Sequence, residues 1–492
     1  MAKLYNLARM TTASTGTGNV TLGSAVPGFL TFAQAGVASG EVISYVIEEG
    51  TNREIGRTFY LSSGPTISRD IVLKSTNSNA KISLSGNAQV FIAAAAEDLS
   101  PQTVPDQTSF RTNLFAAPYE AMAAENLVIN GGMEVSQEIG SNSRSLGTGD
   151  NGVLTYNVDQ WTTIKNLSGS WTIQQTTDAP PGFSYSANFT ASGTQSLGVN
   201  DYVCFGQPFE GQQVARLGFG TSNFNYLTYG FWIKSSTTGS FTAILANNRA
   251  NASTRTHRHL FTINAANTWE FKCLSVPGDG GGSGSWPTTN AIGMGLYLCF
   301  GAGANMQVNA PDSWDASSSV PAVPGQSYLV PTSGNYVRVT GFFAVPGPFD
   351  TLGGTAQLAT RSLSFRKSLS AEIEACLRHY ETSYDLNVPI ASVTAVGAHD
   401  HGVAVSAAFG MPTTANAQTG AIYFRKMKRA TPTIGLYSPV TGNATKARDL
   451  VNSADVSATT SSIGQRSFQW MSQPNAAGNL RLQFHWVASA RL

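Results

Sequence analysis

This sequence predicts an all-β chain, and three observations carry the prediction. Charged residues make up 12% of the 492, against about 25% in an ordinary soluble protein. Glycine is plentiful at 49 residues. That composition fits either disorder or many short strands joined by tight turns. Runs of β-branched and aromatic residues decide for strands: Val42, Ile43, Tyr45, Val46 and Ile47 form one, and Tyr229, Phe231, Trp232 and Ile233 another. At 41% hydrophobic and 10% aromatic, the chain can bury enough surface to offset its ordering entropy.

Residues 1–98 read as a small β-sandwich or barrel. Strands are expected at Asn19–Leu22, Phe29–Phe32, Glu41–Glu48, Arg53–Leu61, Ser68–Ser75, Lys81–Leu84 and Gln89–Ala94. Turn signals such as Pro27-Gly28, Glu49-Gly50 and Ser63-Gly64-Pro65 separate them, a spacing typical of compact β modules. Residues 99–125 form a linker with Pro101 and Pro105, in which Phe110, Leu114, Met122 and Ala123 line one face of a short helix. Such a helix either docks on a neighbouring domain or packs on copies of itself about a three-fold axis.

A central β-sandwich is expected over 126–348, and its Gly278–Gly284 loop lacks the helix-and-lysine sequel of a phosphate cradle. A C-terminal β domain is expected over 349–492, opened by a helix at 370–384. Ser370 reads as its N-cap, Glu372 and Glu374 lie in its first turns, and Ile373, Leu377, Tyr380 and Tyr384 recur at helical spacing. Strands then return, ending in the alternation of Leu480, Leu482, Phe484 and Trp486.

Thirty Lys and Arg against 29 Asp and Glu leave a net charge of +1, which argues against a nucleic-acid partner, since polyanion binding needs a cationic excess. The most apolar stretch, Ala291–Phe300, is far shorter than the ~20 residues of a membrane span, so no membrane insertion is expected. Residues 1–10 hold no apolar block of signal-peptide length, which predicts synthesis in a reducing cytoplasm without export by a cleaved signal. Cys204, Cys273, Cys299 and Cys376 show no CxxC spacing and read as buried thiols. No cofactor is expected.

Asn126–Glu134, NLVINGGME, resembles the opening strand of jelly-roll carbohydrate-binding modules, with Met133 where an aromatic is usual. Val158-Asp159-Gln160-Trp161, Gln207, Tyr229–Lys234, Thr268–Phe271 and Val337–Phe343 resemble later strands of that module, in order. Leu369–Tyr380 resembles the E-x-x-x-C-x-R-Y-Y helix of tailed-bacteriophage fibre and spike proteins, with His379 in place of the first tyrosine. Phe424–Thr433 resembles the M-R-x-x-P-T strand that follows there. The opening MAKLYNLARMTTAS, with Arg53–Gly56, resembles a module at the start of some phage virion proteins.

The resemblance covers about 126–492 and implies a fibre or spike, commonly a homotrimer. It would be attached to other virion proteins through residues 1–98, with its distal part on host-surface glycan. The implied location is the virion. A head-mounted decoration fibre shares every one of these features, and a polysaccharide-depolymerising tailspike is the enzymatic alternative.

Sugar binding needs flat aromatic faces beside hydroxyl-binding groups. Trp286 and Trp314, in polar loop-like segments, are the candidates, with Asp312 and Asp315 as acceptors; the structural reading is that both indoles plug a core or an interface. Trp161, Trp232, Trp269 and Trp486 lie in strand patterns and read as core. His257-Arg258-His259 and His399-Asp400-His401 each place two imidazoles on one strand face. Three subunits could bring six such nitrogens to a metal, but surface pairs without a ligand are the expectation, so no metal is assigned. Glycan cleavage would need two carboxylates across a groove. Glu48-Glu49 and Glu372 with Glu374 are explained by a strand end and a helix start, and no G-x-S-x-G elbow is present. The chain therefore reads as non-enzymatic.

Overall fold

The computed structural model describes residues 3–99, 123–194, 196–247, 255–280, 286–316, 320–329, 332–347, 359, 362–403, 418–472 and 480–492. Most of the expected linker, including Phe110, Leu114 and Met122, lies outside them. The chain divides into two compact units, Met1–Leu114 and Phe115–Leu492.

The first unit is a curled, half-barrel sheet. Its main strands are β1 (Arg9–Thr12), β2 (Val42–Glu49), β3 (Asn52–Leu61), β4 (Ile71–Ser75) and β5 (Ala88–Ile92). The order is β1-β5-β2-β3, continued by the short pairs Thr66–Ile67 and Val20–Thr21, with β4 also on β3. Glu49 pairs with Asn52 across a two-residue turn, and Gly50 has φ +55°, the left-handed backbone such hairpins require. Along β3 the burial alternates, so Glu54, Gly56, Thr58 and Tyr60 face inward. Glu54 thereby enters a core of Ile43, Tyr45, Ile47 and Val90. It is tolerated there because Arg69, equally buried, pairs with it, and Tyr45 Oη and the Ile82 amide also donate to it.

Two expected strands differ and one strand was not expected. Phe29–Phe32 is a turn region with Leu30 making one bridge to Ala8, and of Lys81–Leu84 only Leu84 is in a strand, the short Leu84–Ser85, whereas Arg9–Thr12, which lacks a marked apolar alternation, is a strand. Its identity comes from its neighbour: Arg9 lies opposite Phe91 and Met10 opposite Val90.

The second unit contains a two-sheet sandwich. Its strands, in chain order, are β6 (Arg144–Leu146), β7 (Thr162–Asn166), β8 (Trp171–Thr176), β9 (Ser186–Ala191), β10 (Tyr202–Glu210), β11 (Leu227–Ser235), β12 (Gly239–Asn247), β13 (Thr256–Ile263), β14 (Glu270–Val276), β15 (Ile292–Ala302) and β16 (Tyr336–Pro346). One sheet runs β6-β8-β9-β16-β11-β14; the other runs Thr155–Tyr156, then β7-β10-β15-β12-β13, then Trp314–Asp315. Every pairing within the two is antiparallel. The inner faces share one core, in which Trp161 stacks on Phe205 with centroids 5.2 Å apart and Phe231 stacks on Phe342 at 5.2 Å.

The residues that carry the family likeness hold this sandwich shut. The Asn126 carboxamide accepts from the Val128 and Ala344 amides and donates to Phe365 O. Asn130, at φ +57°, donates its side-chain NH2 to Val135 O and Asp159 O, and its carbonyl takes the Trp161 indole N–H. A Cβ on Gly131 would stand 2.2 Å from Phe342 O. Gln207 exchanges two hydrogen bonds with the Ile129 backbone. Met133 is fully buried.

Helix α1 spans Leu369–Leu377, not 370–384, and its N-cap is Ser368 rather than Ser370: the Ser368 hydroxyl accepts from Ala371 N at 3.3 Å. The periodicity through Tyr380 and Tyr384 misleads because β17 (Tyr380–Thr382) is claimed by sheet pairing, Tyr380 lying opposite Ser489. Beyond it lie β18 (His399–Val403), β19 (Gln418–Tyr423), β20 (Thr433–Tyr437), β21 (Lys446–Asp449), β22 (Ala454–Ser461), β23 (Ser467–Ser472) and β24 (Leu480–Ser489). They curl into a second half-barrel around Phe468, Trp470 and Phe484. β24 pairs with β17, β18, β20 and β21.

Candidate functional site

Alternation along four strands builds the site. In β11, Leu227, Tyr229, Phe231 and Ile233 face the interior of the sandwich; in β12, Phe241, Ala243 and Leu245 do so; in β13, Phe261 and Ile263. The two-residue period then turns His257 and His259 inward as well, and on β14 turns Glu270, Lys272 and Leu274 toward the opposite sheet. β14 is the outermost strand of its sheet. At this edge the sheets part to leave a side-opening cleft of about 420 Å³.

Tyr229, Phe231, Ala243 and Phe261 line the cleft's apolar part, and His259, Asn264, Glu270 and Lys272 its polar part. Register fixes the neighbours: Phe231 lies opposite Lys272, Tyr229 opposite Leu274, and Ala243 opposite His259. Lys272 Nζ meets Glu270 Oε2 at 2.7 Å, and His259 Nδ1 meets Asp312 Oδ1 at 2.6 Å. A carboxylate only accepts, so Nδ1 donates its proton to Asp312, which in the neutral tautomer leaves Nε2 as an acceptor. Burial works against ionised Glu270, but Lys272 and the Ala265 and Asn264 amides hold its carboxyl below the usual range. The Tyr229 hydroxyl is fully buried and has no hydrogen-bond partner among the described residues. Burial, with Cys273 and Asp312 nearby, pushes its pKa up, so it is a neutral donor and acceptor.

Next to the cleft along β13, the expected site residues gather into an aromatic cluster. Trp286 and Trp314 meet edge to face with centroids 5.4 Å apart, and both pack on Phe219, at 5.0 and 5.7 Å. Their indole N–H groups go to Asp279 Oδ2 (3.1 Å) and Pro277 O (2.8 Å). Both rings are partly buried against the sandwich core. Asp279 is itself clamped by Arg255, with bonds of 3.0 and 2.8 Å. His257 lies edge-on to Trp314; burial, ahead of nearby charges, lowers its pKa to about 4.

Of the two expected acceptors, Asp312 joins His259 at the cleft. Asp315 instead pairs with buried Arg258, which points the other way along the alternating strand. His399 and His401 lie elsewhere, in the C-terminal sheet, with their rings against Trp470 at 5.9 and 5.1 Å. Among the described residues no three His, Cys, Asp or Glu side chains are grouped to hold a metal ion, and no helix is long and apolar enough to cross a membrane.

Trp161 and Trp486 are core, as expected, but Trp232 and Trp269 are only half-buried. Trp232 lies on the outer face of β11 against Phe271, and Trp269 donates to Asp178. Tyr229, Glu270 and Lys272 were not anticipated as site residues. Their one sequence signal was polar Glu270 and Lys272 sharing a strand face with Leu274.

No protein-family model matches the chain, and no curated protein matches it. Solved structures give distant likenesses. The enzymatically active domain of tailspike protein 4 of bacteriophage CBA120 is 15% identical over 46% of this chain and 22% of that one, with a TM-score of 0.26. A family 11 carbohydrate-binding module from Clostridium thermocellum, solved with a mixed-linked β-1,3-1,4 tetrasaccharide, is 11% identical over 43% of this chain and 98% of its own, TM-score 0.22. A xylan-binding domain, CBM22-2 of Xyn10C from Paenibacillus barcinonensis, is 10% identical over 41% and 98%, TM-score 0.21. Likenesses at such scores bear no weight; the fold stands on its own strand pairing.

Proposed function

We propose that the chain is a non-enzymatic appendage protein of a tailed phage, whose central sandwich binds host-surface glycan. The observation that carries the sugar-binding part is the side-opening cleft, where aromatic rings line the same space as a buried hydroxyl without a partner and the polar groups of His259, Glu270 and Lys272. That mixture suits a sugar, which offers C–H faces and hydroxyls together. Binding is favoured over cleavage because Glu270 is the one carboxylate among the described lining residues and is tied to Lys272, while a glycosidase needs a pair flanking the bond. The phage assignment rests on the ordered likeness of 126–492 to fibre and spike proteins, and on the N-terminal module, residues 1–98, as the segment that joins the virion. Trimeric assembly would make weak sites effective by multivalency.

The test is incubation of the full chain with purified host-cell polysaccharide. Retention of the protein with no fall in polymer size is the expected result; depolymerisation overturns the non-enzymatic reading, and no retention overturns adhesion. Antibody to residues 350–492 applied to virions separates a tail fibre from a head-mounted decoration fibre.

A further inference from the structure

We propose that the interlayer cleft holds a single neutral sugar residue at the end of a glycan, entered edgewise, with Tyr229 Oη as its fixed hydrogen-bond partner. This rests on the sugar-binding reading above and says where and how it is met.

Three features of the cleft select that occupant. The first is shape. Packed sheets stand ~10 Å apart, so a gap of about 420 Å³ between their inner faces at the β14 edge takes a ring on edge and has room for the end of a glycan rather than a long chain. The second is charge. Lys272, the cation that lines the cleft, is already paired with Glu270, and the Asp312 carboxylate stands beside His259. No positive charge is left over, so an anionic sugar would lose its own hydration without gaining a counter-charge.

The third feature is the pattern of polar atoms. Tyr229 brings a hydroxyl that can donate and accept, His259 an acceptor nitrogen fixed by Asp312, and Phe231 and Phe261 the apolar faces. A sugar ring with free hydroxyls both donates and accepts, and so answers both groups at once. A buried hydroxyl without a partner is costly in the empty protein. The structure therefore carries a penalty that a bound hydroxyl removes. This makes Tyr229 a specificity group rather than a packing residue, because phenylalanine would fill the same space without that cost.

The test uses the full chain with methyl β-galactoside, methyl β-glucoside and sodium glucuronate, read by ligand-observed NMR, with wild type compared with Tyr229→Phe and His259→Gln. At least one methyl glycoside should bind, with glucuronate weaker. Tyr229→Phe should weaken that binding about five- to tenfold, the worth of one hydrogen bond, while its Tm stays level or rises. His259→Gln should weaken binding in the same direction. Binding unchanged in Tyr229→Phe overturns the proposal, as does polysaccharide retention by wild type with no methyl glycoside bound; in both cases adhesion itself stands. Glucuronate binding more tightly than the neutral glycosides overturns it too. Failure of wild type to bind either polysaccharide or glycoside removes the sugar-binding reading together with this one.

Discussion

Replacing Glu54 with glutamine is the sharpest test of how the first unit is held together. Glu54 Oε1 accepts from Tyr45 Oη and Arg69 Nε, both at 2.8 Å, and Oε2 accepts from Arg69 Nη2 and from the Ile82 amide at 2.7 Å. Both charged side chains have zero exposure. A glutamine keeps one oxygen; its NH2 can donate to Tyr45 Oη, a hydroxyl that also accepts, but it faces the Arg69 Nε donor and leaves the guanidinium without its counter-charge. Leaving one buried charge unpaired costs about 3–5 kcal/mol.

In a unit of this size each kcal/mol moves Tm by about 4–8 °C, so Glu54→Gln should lower the first unit's transition by at least ~12 °C. Scanning calorimetry of the full chain, with hydrogen exchange along β2 and β3 to assign the transition, gives the measurement. A shift of under about 4 °C would refute the reasoning. The companion double variant Glu54→Leu with Arg69→Met removes both charges but leaves Tyr45 Oη and the Ile82 amide without their acceptor, so it should recover only part of the loss. The pH dependence has a definite sign. Burial opposes ionisation of Glu54, but Arg69, Ile82 and Tyr45 hold its pKa below the usual 4.5. Its contribution is therefore complete above that pH and is lost as pH falls through the depressed value, a slope absent from the glutamine variant.

Three further outcomes are expected. Asp159 is raised to about 6, by burial above all; the folded state binds its proton more tightly than the unfolded one, so the group costs stability as pH rises from about 4 to 6. Asp159→Asn should flatten that part of the stability curve measured by urea titration at several pH values. His379 is lowered to about 3, first by burial and then by Arg378, Arg429, Arg491 and Lys428. The unfolded chain takes up its proton first, and stability is lost as pH falls from about 6.5 toward 3; His379→Phe should reduce that loss in the same titration. Gly131→Ala pushes a methyl against the Phe342 carbonyl and should cost about 1–3 kcal/mol, as overpacking does, read as a lower urea midpoint for the second unit.

Strands whose own side chains alternate were legible from sequence. Arg53–Leu61 was read almost as it stands in β3, and the run at Tyr229–Ile233 lies within β11. Segments assigned by a partner were not. β1 depends on its pairing with β5, and β17 takes Tyr380 out of a helical pattern. Aromatic content could not separate the two faces of one strand, so Trp232 was read as core although only Tyr229, Phe231 and Ile233 face inward. The cleft was hidden for a related reason. Tyr229, His259, Glu270 and Asp312 are brought together by cross-strand register, and none is unusual in its local sequence. Trp286 and Trp314 did announce themselves, and they converge beside the cleft with both indole N–H groups already used.

The pairing of β24 with four other strands has a consequence for biosynthesis. Any polypeptide cut off ahead of Leu480 would leave β17, β18, β20 and β21 deprived of their common neighbour, with raw hydrogen-bonding edges open to other molecules. Products truncated there should thus clump, which makes this strand the keystone of the C-terminal half-barrel.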